Sequence, residues 1–352
     1  MFVTPLSEPP APLCATVLIC TFNRGSLLRS TLESLAAMDP IEGSWDVLVV
    51  DNNSTDDTEQ VVASLARTFP VGLRYLRELR QGKSYALNLG LTAVTARVVA
   101  FTDDDVVVSK QWLMEAVKPI LADPGLDYTG GPVRPIWGAP PPSWLPKTNS
   151  NLWGTIAVLD YGDEPFIYED RRRIPIGANM AVRRSVFDRV GGFDPALGRK
   201  GKSLLGQEQA EFFCRTRAEG VRGMYVPKME LHHHVPRERL TRGYFRRWWF
   251  WKGISRARLH RMHPETETGL DLRRVRRISG VPRFAIGEVL GHLRGVWSSG
   301  IRRDRLRLMA EEMMLMYSMG YVGESWRGKR GSGRLDSTGL DSELPPRAQP
   351  HP

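Results

Sequence analysis

The strongest constraint on this chain is an alternation that runs from residue 15 to residue 121. Four short apolar runs, at 15–22, 45–51, 71–76 and 97–102, are rich in Val, Leu and Ile and have the length of strands. Between and after them, 26–38, 56–69, 84–96 and 109–121 space Leu, Val and Ala at helical intervals. Strand and helix in turn predict a mostly parallel sheet with helices on both faces, because parallel neighbours need a crossover that is usually helical. Polar residues gather directly after three of the runs: Thr21-Phe22-Asn23-Arg24, Asp51-Asn52-Asn53-Ser54 and Asp103-Asp104-Asp105. Ligands of open α/β sheets bind beyond the carboxyl ends of the strands, so the three clusters are expected to face one crevice.

Past residue 121 the pattern loosens. Residues 130–146 are dense in Pro, Gly and Trp and predict a long irregular loop beside the crevice. A second α/β portion spans about 174–235, an aromatic, Arg-rich helix 241–260, and an amphipathic helix about 301–319. The division expected is a flexible start (1–13), an α/β domain (14–240), a helical extension (241–327) and a disordered Gly-, Ser- and Pro-rich tail (328–352).

Charge is unevenly spread. Residues 1–110 hold 9 Lys and Arg against 13 Asp and Glu, while residues 237–307 hold 19 against 6. A basic second half suits an anionic partner, whether lipid headgroup, nucleic acid or phosphorylated substrate, and equally suits a solvated surface. The three cysteines have neither disulfide-framework nor zinc spacing, which fits a reducing compartment. With no signal-peptide pattern and no apolar stretch of about 18 residues, the expectation is a cytoplasmic protein, free or peripheral on the inner face of the membrane.

The acidic triplet Asp103-Asp104-Asp105 is the chemical centre. Three adjacent carboxylates repel, and at a strand's end they point to a hard divalent cation, Mg²⁺ or Mn²⁺, bridging to phosphate oxygens. Asp51 suits a nucleobase N–H or a ribose hydroxyl, whereas Ser54 or Thr55 is placed to cap the following helix. Gly82-Lys83-Ser84 looks like the end of a phosphate loop, but Arg77 occupies the position of its first glycine, which disfavours a P-loop enzyme. Lys83 at a helix start still suits a phosphate or a base.

Taken in order, Val17–Arg24, Val49–Thr58, Gly82–Asn88, Phe101–Asp105, Ile176–Arg184 and Val190–Asp194 resemble the inverting family-2 glycosyltransferases with a GT-A fold, a Rossmann-like nucleotide-sugar-binding domain, here with a basic helical C-terminal extension. The resemblance covers about residues 14–260. It implies a nucleoside-diphosphate sugar donor, a hydroxyl acceptor on a glycan or glycolipid, and no nucleic acid. It implies Asp103 and Asp105 as metal ligands, and donor or acceptor contacts from Thr21, Phe22, Arg24, Asp51, Asn53, Lys83, Asn88, Asp104, Gly177 and Asn179.

Two departures bear on the chemistry. The acid that commonly serves as base in this family is here Gln209, which cannot accept a proton. Glu208 and Glu211 are its candidate substitutes, and a base near the metal is expected to have a lowered pKa. In His232-His233-His234 alternate side chains point to opposite faces of a strand, and the motif's register favours His233 as a third metal ligand. The aromatic run Tyr244–Trp251 reads as a packed helix or as an interfacial one that meets headgroups. A nucleotidyltransferase, a nucleic-acid-binding protein using the basic aromatic half, and a catalytically impaired relative are the alternatives.

Overall fold

A computed structural model describes residues 13–146, 151–201 and 203–331. The parts assigned to 1–12 and 332–352 lie outside the described residues. The alternating half forms β1 (Ala15–Thr21), α1 (Gly25–Ala36), β2 (Trp45–Asp51), α2 (Thr58–Ala66), β3 (Gly72–Arg77), α3 (Lys83–Thr92), β4 (Val98–Asp103), β5 (Val106–Val108) and α4 (Trp112–Ala122). Next come β6 (Tyr128–Gly130), β7 (Val133–Trp137), β8 (Phe166–Ile167), β9 (Asn179–Arg183), α5 (Arg184–Val190), α6 (Glu208–Ala218), β10 (Gly223–Tyr225) and β11 (Leu231–Val235). Three long helices close the chain: α7 (Arg242–Met262), α8 (Arg283–Ile301) and α9 (Arg305–Gly331).

The main sheet has the order β3-β2-β1-β4-β9-β6-β10-β8. β1 to β4 are parallel, as the alternation predicts, while β9 runs antiparallel to both β4 and β6. Helices cover the sheet through apolar stripes; Leu28, Leu32 and Leu35 of α1 are fully buried at i, i+4, i+7. α3 lies so close that a Cβ on Gly90 would stand 2.5 Å from Leu18 Cδ1, which only glycine allows.

Three expectations change. The 130–146 segment contains β7, which joins β5 and β11 in a small second sheet. Pro135 is tolerated because β7 is an edge strand of this sheet, paired with β11 on one side and met on the other by a single bridge, from Val133 to Leu159. Neither Ser54 nor Thr55 caps α2: its N-cap residue is Asp57, Asp56 Oδ1 accepts from Thr58 N at 3.2 Å, and Ser54 Oγ accepts from Asn23 N at 2.8 Å. The helix expected at about 301–319 is α9, which starts at Arg305 and continues past Gly328 to Gly331, and α8, which the sequence reading missed, precedes it.

The aromatic helix α7 is capped by Thr241, whose Oγ1 accepts from Tyr244 N at 3.2 Å. Phe245 and Trp249 are buried, and Trp249 Nε1 donates to Thr155 Oγ1 at 3.0 Å. The helix also packs on α9, where Trp249 meets Tyr317, Arg246 pairs with Glu312 and Arg258 with Glu324. The rest of its aromatic run is less enclosed: Tyr244, Trp248 and Trp251 are half-buried and Phe250 is exposed.

Candidate functional site

The chain leaves β1 toward β2 and β3 on one side, then returns to place β4 on the other side of β1. This reversal opens a crevice at the carboxyl ends of β1 and β4. Register brings Thr21 opposite Asp51 and Cys20 opposite Asp103, so the polar clusters share one rim. Behind the rim lies a cavity of about 490 Å³. The rim contributes Thr21, Phe22, Arg24 and Asp103 to Asp105; α3 adds Lys83, and the turn before β9 adds Gly177. Glu208 and Gln209 come from α6, His233 from β11, Arg239 from the turn after it, and Trp248 and Lys252 from α7.

At the rim every charge is answered. Arg24 Nη1 donates to Asp104 Oδ1 at 2.8 Å and Asp105 Oδ2 at 2.9 Å, and Thr21 Oγ1 donates to Asp104 Oδ2 at 2.7 Å. Lys83 Nζ holds Asp103 Oδ1 at 2.5 Å. His233, on the buried face of β11, sets Nε2 3.4 Å from Asp105 Oδ1, and Arg239 lies 3.9 Å from Asp105 Oδ2. His232 and His234 point to the other face and are more exposed. Burial works against the Asp105 charge, yet His233, Arg24 and Arg239 together hold its carboxyl well below the usual range. Burial instead raises Asp104, despite Arg24, because Asp105 stands beside it.

Asp103, Asp105 and His233 offer two carboxylates and an imidazole to one cavity, a donor set suited to Mn²⁺ or Mg²⁺. His233 Nδ1 is buried and has no hydrogen-bond partner among the described residues. As they stand the aspartates grip Lys83 and Arg24, and among the described residues no group of three or more His, Cys, Asp or Glu is poised around an ion. The donor chemistry fits, and binding an ion requires those two cations to turn aside.

Glu208 opens α6 and faces the cavity, with Oε2 buried and unpartnered. Burial raises its pKa, against the pull of Lys83 and Arg199. In the protein alone desolvation outweighs the neighbouring cations. Gln209 Nε2 donates to the Pro175 carbonyl, beside Gly177. Glu211 does not line the cavity. Its two oxygens accept from Arg215 Nε and Nη2, both at 2.8 Å, and Oε1 lies 3.0 Å from His263 Nε2. Arg215 in turn binds the carbonyls of Val190 and Gly192, so Glu211 fastens α6 to the turn after α5.

Four further residues expected in the site do not line the cavity. Asn179 is fully buried: Oδ1 accepts from Trp112 Nε1 at 2.8 Å, and Nδ2 donates to the Pro132 and Met229 carbonyls. Asn88 brackets Phe193, accepting from its N–H and donating to its carbonyl, both at 2.8 Å. Asp51 accepts from Ser54 N at 2.8 Å and Tyr75 Oη at 2.7 Å, and it is Asn52 that reaches the cavity. Asn53, in the left-handed region at φ 66°, accepts from Arg77 at 3.1 Å. Sequence reasoning missed Asn52, Arg239, Trp248 and Lys252. The last two had a signal in their i, i+4 spacing on one helix.

Comparison with known proteins agrees with this geometry. The family described as Glycosyl transferase family 2 matches residues 16–191. The chain is 27% identical over 255 residues to the glucosyl-dolichyl phosphate glucuronosyltransferase of Haloferax volcanii, covering 71% of this chain and 78% of that protein. It is 28% identical over 245 residues to the succinoglycan biosynthesis protein ExoM of Rhizobium meliloti, covering 68% and 73%. In structure it is similar to the mannosyltransferase PcManGT from Pyrobaculum calidifontis, solved with GDP-Man and Mn2+. That likeness has a TM-score of 0.53 at 21% identity over 94% of this chain and 83% of that one. The family match spans β1 to α5 and takes in Arg24, Lys83 and the acidic triplet; the chain belongs to glycosyl transferase family 2, enzymes of glycosyl transfer built on the GT-A fold.

Proposed function

We propose that the cavity transfers a sugar from a nucleoside-diphosphate donor to a hydroxyl of a glycan or glycolipid acceptor, with inversion and with a divalent cation at the donor end. The observation that carries this reading is one cavity with two kinds of carboxylate: Asp103 to Asp105, held by cations at the sheet rim, and Glu208, half-buried, whose buried Oε2 has no partner among the described residues. Two solved neighbours support a nucleotide and metal: PcManGT holds GDP-Man and Mn2+, and GalNAc-T7, with a TM-score of 0.50, holds UDP, GalNAc and Mn2+.

Asp103, Asp105 and His233 would hold the ion, and Lys83 and Arg24, released from the aspartates, would meet the diphosphate. When bound, such an ion neutralises negative charge on the departing diphosphate. Glu208 takes the proton of the acceptor hydroxyl as the new oxygen–carbon bond forms and the bond to the diphosphate breaks. Burial suits it to this task, because a raised pKa makes a carboxylate a stronger base. A single displacement inverts the anomeric carbon and needs no enzyme nucleophile. Thr21, Phe22 and Gly177 line the space for donor and sugar.

The direct test incubates the protein with a panel of nucleotide sugars and Mn²⁺, reading nucleoside diphosphate release and then the anomeric configuration of the product by NMR. Release with one donor, abolished by EDTA, and an inverted product are expected. Full release in EDTA removes the metal from the reading; a retained configuration removes the single displacement.

A further inference from the structure

The C-terminal hairpin carries an apolar face that nothing among the described residues covers. On α8, Leu290, Leu293, Trp297 and Ile301 are 53%, 47%, 73% and 63% exposed. At 3.6 residues per turn they fall within about 80° of one another around the helix. The opposite side of α8 is the one that packs: Ala285 and Ser299 are buried, and His292 Nδ1 lies 2.8 Å from Glu311 Oε2 on α9. The apolar row runs on through the turn between α8 and α9, where residues 300–307 are all exposed and Leu306 is 53% exposed.

A belt of arginines surrounds this row. Residues 283–307 contain six Arg against Glu288 and Asp304. Among the described residues the hairpin's ion pairs join His292 and Arg307 to Glu311, while Arg294, Arg302, Arg303 and Arg305 enter none of them. An exposed tryptophan amid aliphatics, with unpaired arginines alongside, is the chemistry of a helix lying in the headgroup layer of a bilayer. No helix among the described residues is long and apolar enough to cross one.

We propose that the α8–α9 hairpin docks this protein on an anionic lipid surface, Leu290, Leu293, Trp297, Ile301 and Leu306 entering the interface and the arginines meeting lipid phosphates. A second copy of the chain fits the face less well, because two surfaces each carrying unpaired arginines repel. α8 packs on α9, α9 packs on α7, and α7 supplies Trp248 and Lys252 to the cavity, so docking sets the cavity near the lipid surface.

Vesicle flotation tests this without turnover, so it stands or falls apart from the transfer reading. The full chain is floated with vesicles of phosphatidylcholine alone and of phosphatidylcholine mixed with phosphatidylglycerol, at low and high salt. Binding is expected to the mixed vesicles and to weaken with salt. Leu293→Glu with Trp297→Glu should bind at least about tenfold less, with unchanged melting temperature, since both side chains are exposed. Arg302→Gln, Arg303→Gln and Arg305→Gln together should remove the preference for anionic lipid. Equal flotation of the Leu293/Trp297 variant overturns the proposal. So does a wild type that ignores anionic vesicles at low salt; if that chain also sediments as a dimer which the variant dissolves, the face belongs to a second copy.

Discussion

The two ends of the cavity handle buried charge in opposite ways. At the sheet rim Asp103, Asp104 and Asp105 are met by Lys83, Arg24, Arg239 and His233, so each carboxylate has a cation in reach. At the helical end Glu208 keeps one oxygen without a partner, and Lys252 lies over the faces of Trp248 and Trp249, at 5.0 and 4.6 Å, with no carboxylate among the charges that act on it. Paired charges hold a shape, whereas open ones leave free energy for whatever binds. The contrast teaches where to look for each partner: exchange of ion pairs at the rim, new contacts at the helical end.

The largest way to break the contrast is Asp105→Asn. It removes one charge from a group that balances Arg24, Arg239 and His233, and nucleoside diphosphate release should fall by about 10³-fold. Titration of Mn²⁺ with donor present should weaken in parallel; wild-type release by this variant would show that the rim is architecture alone.

Glu208→Gln attacks the other end. Transfer should drop by ~10²–10⁴-fold, while donor affinity, measured by calorimetry, stays. The pH dependence follows from the raised pKa. Glu208 works only when deprotonated, so kcat/KM falls as pH is lowered through a value above the ordinary carboxylate range, and rises again above it. The Gln variant should lack that limb. A variant that keeps the limb assigns it to another group.

Glu211→Gln sharpens the distinction between a carboxylate that reacts and one that braces. Losing the pair with Arg215 should cost roughly 1–3 kcal/mol of stability, read by denaturant melts. Transfer at permissive temperature should change far less than in Glu208→Gln. If transfer collapses instead while stability holds, the base is one helical turn further along.

Lys252→Met gives the smallest effect, with an unusual sign. Burial lowers this lysine's pKa to about 8, so the folded state prefers it neutral. Between about pH 8 and its ordinary 10.5 the unfolded chain binds more protons, and stability rises with pH across that window. At pH 7 the Met variant should therefore be more stable by about 1 kcal/mol, a modest figure because the side chain is only half-buried. A destabilised variant would mean that the Trp248 and Trp249 contacts outweigh the desolvation.

The alternating half was legible because parallel β/α units repeat their hydrophobic period, and the clusters after β1 and β4 were legible because strand ends are fixed by it. Less could be read where polar residues serve the fold. Asn179, Asn88 and Asp51 sit inside motifs of the family, yet their side chains are consumed by backbone and tyrosine partners that come from distant segments. Glu208 and Glu211 look equivalent in sequence; only the position of Arg215, one turn on, and of His263, at the end of α7, separates them. The division of the chain's end into α8 and α9 was hidden because Arg302 and Arg303, good helix formers, carry no stop signal.

Two glycines settle how wide the cavity can open. A Cβ on Gly253 of α7 would stand 2.0 Å from the Tyr317 carbonyl oxygen, and one on Gly320 of α9 would stand 2.1 Å from that of Phe250. The helices thus cross backbone against backbone, with no side chain between them to yield. A single methyl group at either crossing point acts as a wedge. It pushes α7 off its bed and carries Trp248 and Lys252 with it. The gape of the cavity mouth is governed by atoms missing from the far side of the helix that forms its wall.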